Sequence, residues 1–153
     1  MPRLALLVAA VIAACQLVGC TLLSPADPRL CSAAQNLSAA MAMTATAIAA
    51  DEHGDLAQAQ GLATQARTLT ELASAQLEAM PSDKQPQPAW QALSEAYTQA
   101  ARAANSLLPA YSGTHGHGRQ ELDLATASIA RARAELPAMC FDIPADVETP
   151  GSS

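Results

Sequence analysis

An all-α chain, folded as an up-down-up-down four-helix bundle and closed by one disulfide, is what this sequence predicts. Three observations carry that expectation. Apolar residues recur at threes and fours through four separate stretches. Turn formers interrupt them: an acidic turn at Gly54, a proline-rich segment from Pro81 to Pro88, and a glycine-bearing break after Pro109. Cys31 lies at the beginning of the first stretch and Cys140 beyond the fourth. An even number of antiparallel helices returns the chain to its starting end, which brings these two thiols side by side.

The first helix opens at Asp27-Pro28, an acidic cap followed by proline in the first helical position. Leu30, Leu37, Met41, Thr44 and Ile48 mark its apolar stripe, which fades near Ala50. Asp51-Glu52-His53-Gly54 makes the first turn. Asp55 caps the second helix, with Gln58 three residues later as a capping-box variant. Its stripe runs through Leu62, Ala66, Leu69, Ala73 and Met80, and Pro81 ends it. The third helix starts around Pro88 with a seam of Trp90, Leu93, Tyr97, Ala100, Ala104 and Leu107. The fourth carries Leu122, Ala125, Ile129, Ala132, Leu136 and Met139, with Pro137 bending or closing it. The bundle domain is expected over 27–143. Residues 144–153, polar and proline-containing, are expected to be disordered. A long helical hairpin that meets its core residues on a partner is the alternative architecture.

Composition narrows the function. Half of the 153 residues are apolar, alanine being the commonest, and aromatics make up only 3%. Such a core is close-packed rather than bulky. Asp and Glu outnumber Lys and Arg by 14 to 8, so the basic footprint that nucleic acid requires is absent. Anionic lipid headgroups would also repel most of this surface.

The N-terminal stretch gives a location. Arg3 precedes an unbroken apolar run, Leu4 to Ala14. At ~1.5 Å per helical residue this run is too short to cross a hydrocarbon core of about 30 Å. A positive end before a short apolar core is the layout of a secretory leader. Directly behind it, Leu17-Val18-Gly19-Cys20 resembles the lipobox of bacterial lipoproteins. The resemblance implies cleavage of residues 1–19, lipidation of Cys20, and a tether over 20–26. Two or three acyl chains suffice for stable anchoring. Thr21 in place of Asp after the lipid cysteine implies, by the same resemblance, passage to the outer membrane, with the domain facing the periplasm.

Cys15 then leaves with the leader and Cys20 carries lipid. Cys31 and Cys140 remain, in an exported chain where disulfides persist. Closing so long a loop removes up to about 4.7 kcal/mol of unfolded-state entropy.

Few constellations suggest chemistry. His53, His115 and His117 fall in the two turns that share the far end of the bundle, with Asp51, Glu52 and Asp55 nearby. Imidazole and carboxylate together suit zinc, nickel or copper, so metal capture at this distal tip is the alternative function. Met41 and Met43, two apart on a helix, point about 200° apart and cannot easily share an ion. CxxCH, an axial histidine in the last helix and inward ExxH pairs are missing from the sequence, so no haem or di-iron cofactor is expected. GxSxG, HExxH and phosphate-binding glycine loops are missing too, and no enzymatic activity is expected. Arg131, Arg133, Glu135, Glu95 and Arg102 read as a solvated face, or as a polar rim around a groove for a partner helix.

The expected function is that of an envelope adaptor, scaffold or accessory subunit, held by lipid and acting through protein–protein contacts with an envelope partner. This layout is similar to that of secretion pilotins, small helical lipoproteins that hold a secretin segment in a groove. The likeness is one of architecture and not of sequence.

Overall fold

The structure, a computed structural model, describes residues 27–85, 87–109 and 118–142. Four α-helices make up most of it: α1 (Pro28–Glu52), α2 (Leu56–Glu78), α3 (Pro88–Asn105) and α4 (Gly118–Glu135). A short 3-10 helix, Ala138–Phe141, follows, and there is no strand among the described residues. α1 packs most extensively on α2, and α3 on α4, so the bundle is two helical hairpins laid together. The predicted leader, lipobox, tether and terminal stretch lie outside the described residues, as do positions 86, 110–117 and 143 of the predicted bundle.

The helix boundaries follow local chemistry. Asp27 Oδ1 accepts from the Arg29 backbone N–H at 3.0 Å, and Pro28 occupies a position whose N–H would be unpaired anyway. At the other end of α1, Gly54 takes φ +82°, the left-handed conformation that costs glycine nothing. Its N–H reaches Asp51 O at 2.9 Å while the Asp55 N–H reaches Ala50 O at 2.9 Å. That is a Schellman closure, and it uses the last carbonyls of α1. The Asp55 side chain then caps α2 by accepting from the Gln58 N–H at 3.0 Å. The cap is as predicted, but the Asp55 N–H is spent on α1 rather than on a reciprocal capping box.

Cross-links between elements fix the up-down order. At one end, Cys31 and Cys140 are bonded, with Cα atoms 4.5 Å apart. Arg29 Nη1 donates to Ala79 O at 2.7 Å, and Lys84 Nζ stands 4.0 Å from Asp27 Oδ2. These contacts set the α2–α3 turn beside the start of α1. Trp90 Nε1 donates to Leu77 O at 3.1 Å, stapling α3 to α2 at the same end. At the opposite end, Arg119 pairs with Glu52. The first and third connections therefore share that end, as the alternation requires.

The core tapers along the axis. Its largest cluster lies at the disulfide end, where Leu37, Leu77, Leu93, Ile129 and Phe141 meet. Midway it narrows to Ala40, Ala66 and Ala104, one residue from each of three helices. Beyond that, Ala47, Leu62 and Ala63 close against Leu107 and Leu108. Where methyl groups replace larger side chains, helix axes approach more closely and dispersion contacts substitute for bulk.

Three details depart from the sequence reading. In α3 the fully buried face is Ala89, Ala92, Leu93, Ala96 and Ala100, while Trp90 and Tyr97 lie half-buried along its edge. α3 ends at Asn105, and the N–H groups of Leu107 and Leu108 turn back to Ala104 and Asn105, tightening the chain before Pro109. Pro137 closes α4, one of the two roles expected of it, but Met139 does not continue the apolar stripe. The change of period that follows throws Met139 out to 67% exposure and turns Cys140 and Phe141 inward.

Candidate functional site

Helix α4 is flanked by two grooves, one against α1 and one against α3. Between α1 and α4 lies a groove of about 390 Å³, floored by Met41, Ile129, Ala130 and Phe141. Ser38, Thr126 and Arg133 make its polar edge. Arg133 lies over the Phe141 ring, 4.7 Å from guanidinium carbon to centroid, a contact that holds the aromatic in place through its π face. Serine in a helix ordinarily bonds back to the carbonyl four residues earlier, as Thr44 does to Ala40 O at 2.8 Å. Ser38 does not: its Oγ is buried and without a hydrogen-bond partner.

On the other flank, between α3 and α4, a groove of about 310 Å³ is lined by Leu124, Ala127, Thr98 and Gln99. Its rim is the Glu95–Arg131 ion pair that bridges the two helices, with Arg131 Nη2 also donating to Ser128 Oγ at 2.8 Å. Gln99 Oε1 is buried there without a partner. Leu124 stands 46% exposed at this groove. The polar residues singled out on α3 and α4 thus divide by role. Glu95 and Arg131 form a rim, Arg133 serves the other groove, and Glu135 and Arg102 are exposed.

Cys31 and Cys140 are joined as predicted. Cys20 and its lipobox, together with His115 and His117, lie outside the described residues. His53 is the C-cap of α1, and its Nδ1 sits 2.6 Å from Ala49 O. Of the acids near it, Glu52 faces Arg119, whose guanidinium pKa is raised by the hydrogen bond to Glu52 and by its charge, with Asp123 adding a smaller push. Asp55 is used as the α2 cap. Among the described residues no group of three or more His, Cys, Asp or Glu side chains is placed to hold a metal ion.

Sequence reasoning missed Phe141, Ser38, Gln99 and Leu124. Leu124 had a signal: it lies one position off the stripe of Leu122, Ala125 and Ile129, an apolar residue on an otherwise polar face. The others had none, because only packing decides which serine or glutamine loses water. No protein-family model, no curated protein and no solved structure matches this chain.

Proposed function

We propose that this chain is a lipid-anchored adaptor of the bacterial cell envelope. Acyl chains on Cys20 fix it to the outer membrane, and the disulfide-closed bundle presents a face of α4 to a protein partner in the periplasm. The lipobox Leu17-Val18-Gly19-Cys20 supports the anchor. The observation that carries the adaptor role is the α3/α4 groove. It combines an exposed leucine, an unsatisfied amide oxygen on Gln99 and a charged rim, the mixture of apolar anchor and polar edge that receives an amphipathic helix. Nothing in this role needs a cofactor or a nucleophile.

The test has two arms. Mass spectrometry of the protein purified from membranes reads the anchor, which predicts a processed amino terminus bearing lipid at Cys20. An unmodified terminus overturns the anchor. A photo-crosslinker at Gln99 in cells reads the face, which predicts one reproducible envelope protein whose capture is lost in a Leu124→Glu variant. Capture that ignores Leu124→Glu, or no capture, overturns the groove. Metal capture by the distal histidines predicts instead that zinc or copper binds the protein and that His115→Ala with His117→Ala abolishes the binding.

A further inference from the structure

The α1/α4 groove has features that the adaptor role does not use. Its lining carries a single charged residue, and that charge is positive: Arg133. α1 has no acid from Pro28 to Ala50, and α4 has none from Leu124 to Ala134. Glu135, two residues further along the helix, projects about 200° away. Arg133 accordingly enters no ion pair among the described residues, in a chain whose formal charge is -6. The rim of the other groove differs, because there Glu95 already neutralises Arg131.

The two hydroxyls of the groove also differ from each other. Thr126 Oγ1 donates to Leu122 O at 2.9 Å and is satisfied. Ser38 Oγ is buried without a partner, and rotation about χ1 lets its hydroxyl turn to an acceptor. A guanidinium and an unspent hydroxyl both donate. Their common partner is therefore an acceptor and, by charge, an anion; a carboxylate meets both conditions.

The remaining lining, Met41, Ile129, Ala130 and Phe141, offers apolar surface. A peptide laid on that floor would bring backbone N–H and C=O groups that the floor cannot pair. An alkyl chain brings none. The groove's 390 Å³ lies towards the lower end of the range for small-molecule sites, about 300–1,000 Å³. Its α4 wall, from Thr126 to Arg133, rises by about 10 Å at ~1.5 Å per residue. The site thus has one cationic end, where Arg133 lies over Phe141, and an apolar run of limited length.

We propose that the α1/α4 groove binds a free aliphatic carboxylate, a fatty acid of medium chain length. The carboxylate meets Arg133, with Ser38 Oγ as a second donor, and the tail runs along Ile129 towards Met41 and Thr126. This site stands apart from the adaptor role, since it lies on the α1 side of α4 and not on the α3 side.

The test uses the purified full chain and decanoic acid carrying a photoreactive diazirine at its tail end. After irradiation, peptide mass spectrometry is expected to place the label on α1 near Met41 or on α4 near Thr126. Unlabelled carboxylates from hexanoate upward compete, each buried methylene tightening binding roughly two- to fourfold until the chain outgrows the groove. Methyl decanoate, which lacks the charge, competes less well than decanoate. Arg133→Gln weakens competition by decanoate roughly two- to fivefold, the size of an exposed ion pair. The same variant leaves competition by methyl decanoate unchanged, which separates lost charge pairing from disturbance of Phe141. Label on other helices, label at the Arg133 end, or no label overturns the proposal. So does a gain with chain length that never levels off, methyl decanoate competing as well as decanoate, or an Arg133→Gln effect shared equally by acid and ester.

Discussion

Cys31 and Cys140 are 109 positions apart in the chain, yet their Cα atoms lie 4.5 Å apart across the joined ends of α1 and the 3-10 helix. The bond ties the last described turn of the chain to its first helix. It also holds Phe141, the next residue, against the α1/α4 groove.

Removing this bond by Cys31→Ala with Cys140→Ala lowers stability by about 2–4 kcal/mol, because the unfolded chain regains the freedom that the closed loop denied it. Urea unfolding followed by the fluorescence of Trp90, the one tryptophan, measures the shift. A midpoint that does not move would show that α1 and the 3-10 helix hold together without the covalent link.

Ala66 marks the narrowest part of the core. It is 0% exposed and packs with Ala40 and Ala104, so α1, α2 and α3 meet there on methyl groups. Ala66→Leu forces the helices apart and costs about 1–3 kcal/mol. On the open side of α2, Leu72, which is 50% exposed, tolerates Leu72→Ala within about 0.5 kcal/mol. Thermal unfolding of the two variants compares them directly. Equal losses would argue against a close-packed alanine seam.

Glu52 and Arg119 each stand at the unfavourable pole of a helix. Glu52 is the last residue of α1, where partial negative charge gathers, and Arg119 is the second residue of α4, where the N–H groups leave positive charge. Their ion pair offsets both conflicts. Exchanging them, Glu52→Lys with Arg119→Glu, keeps the pair and puts each charge at its preferred pole. The Tm of the exchanged protein is expected to rise, and the gain to shrink in high salt as the charges are screened. A Tm at or below that of the parent would contradict this account.

Gly118 packs into the end of α3, where a Cβ would overlap Ser106 Oγ and approach Ala103 O at 3.5 Å. Ser106 Oγ is itself buried and donates to Ala103 O at 2.7 Å. Gly118→Ala therefore displaces a satisfied hydroxyl and costs about 1 kcal/mol, despite alanine's better helix propensity. In a Ser106→Ala background only ordinary contacts remain, and the cost disappears. A double-mutant cycle by chemical denaturation expects a coupling of about 1 kcal/mol; additive effects would remove the steric explanation.

The bundle was legible because its punctuation is chemical. Asp27-Pro28, Gly54-Asp55, Pro88 and Pro137 each act locally, and each sits within a residue or two of a real boundary. The disulfide was legible because topology and cysteine elimination agreed. The facing of α3 was harder to read. With alanine on nearly every side, the apolar period is weak, and the eye follows Trp90 and Tyr97. Close approach instead selects the smallest residues for the interior and moves large rings to the edge, where there is room. Both grooves were hidden for a related reason: they depend on how far α4 stands from its neighbours. Neither the spacing of residues nor their polarity encodes that distance.

The cystine has a mechanical consequence. A pull applied between residues 27 and 142 passes along the first residues of α1, across the sulfur bridge and out through Phe141, so it bypasses α2, α3 and α4 altogether. Tension between those points leaves the helices unloaded, and only reduction of the bridge would put them in the path of the force.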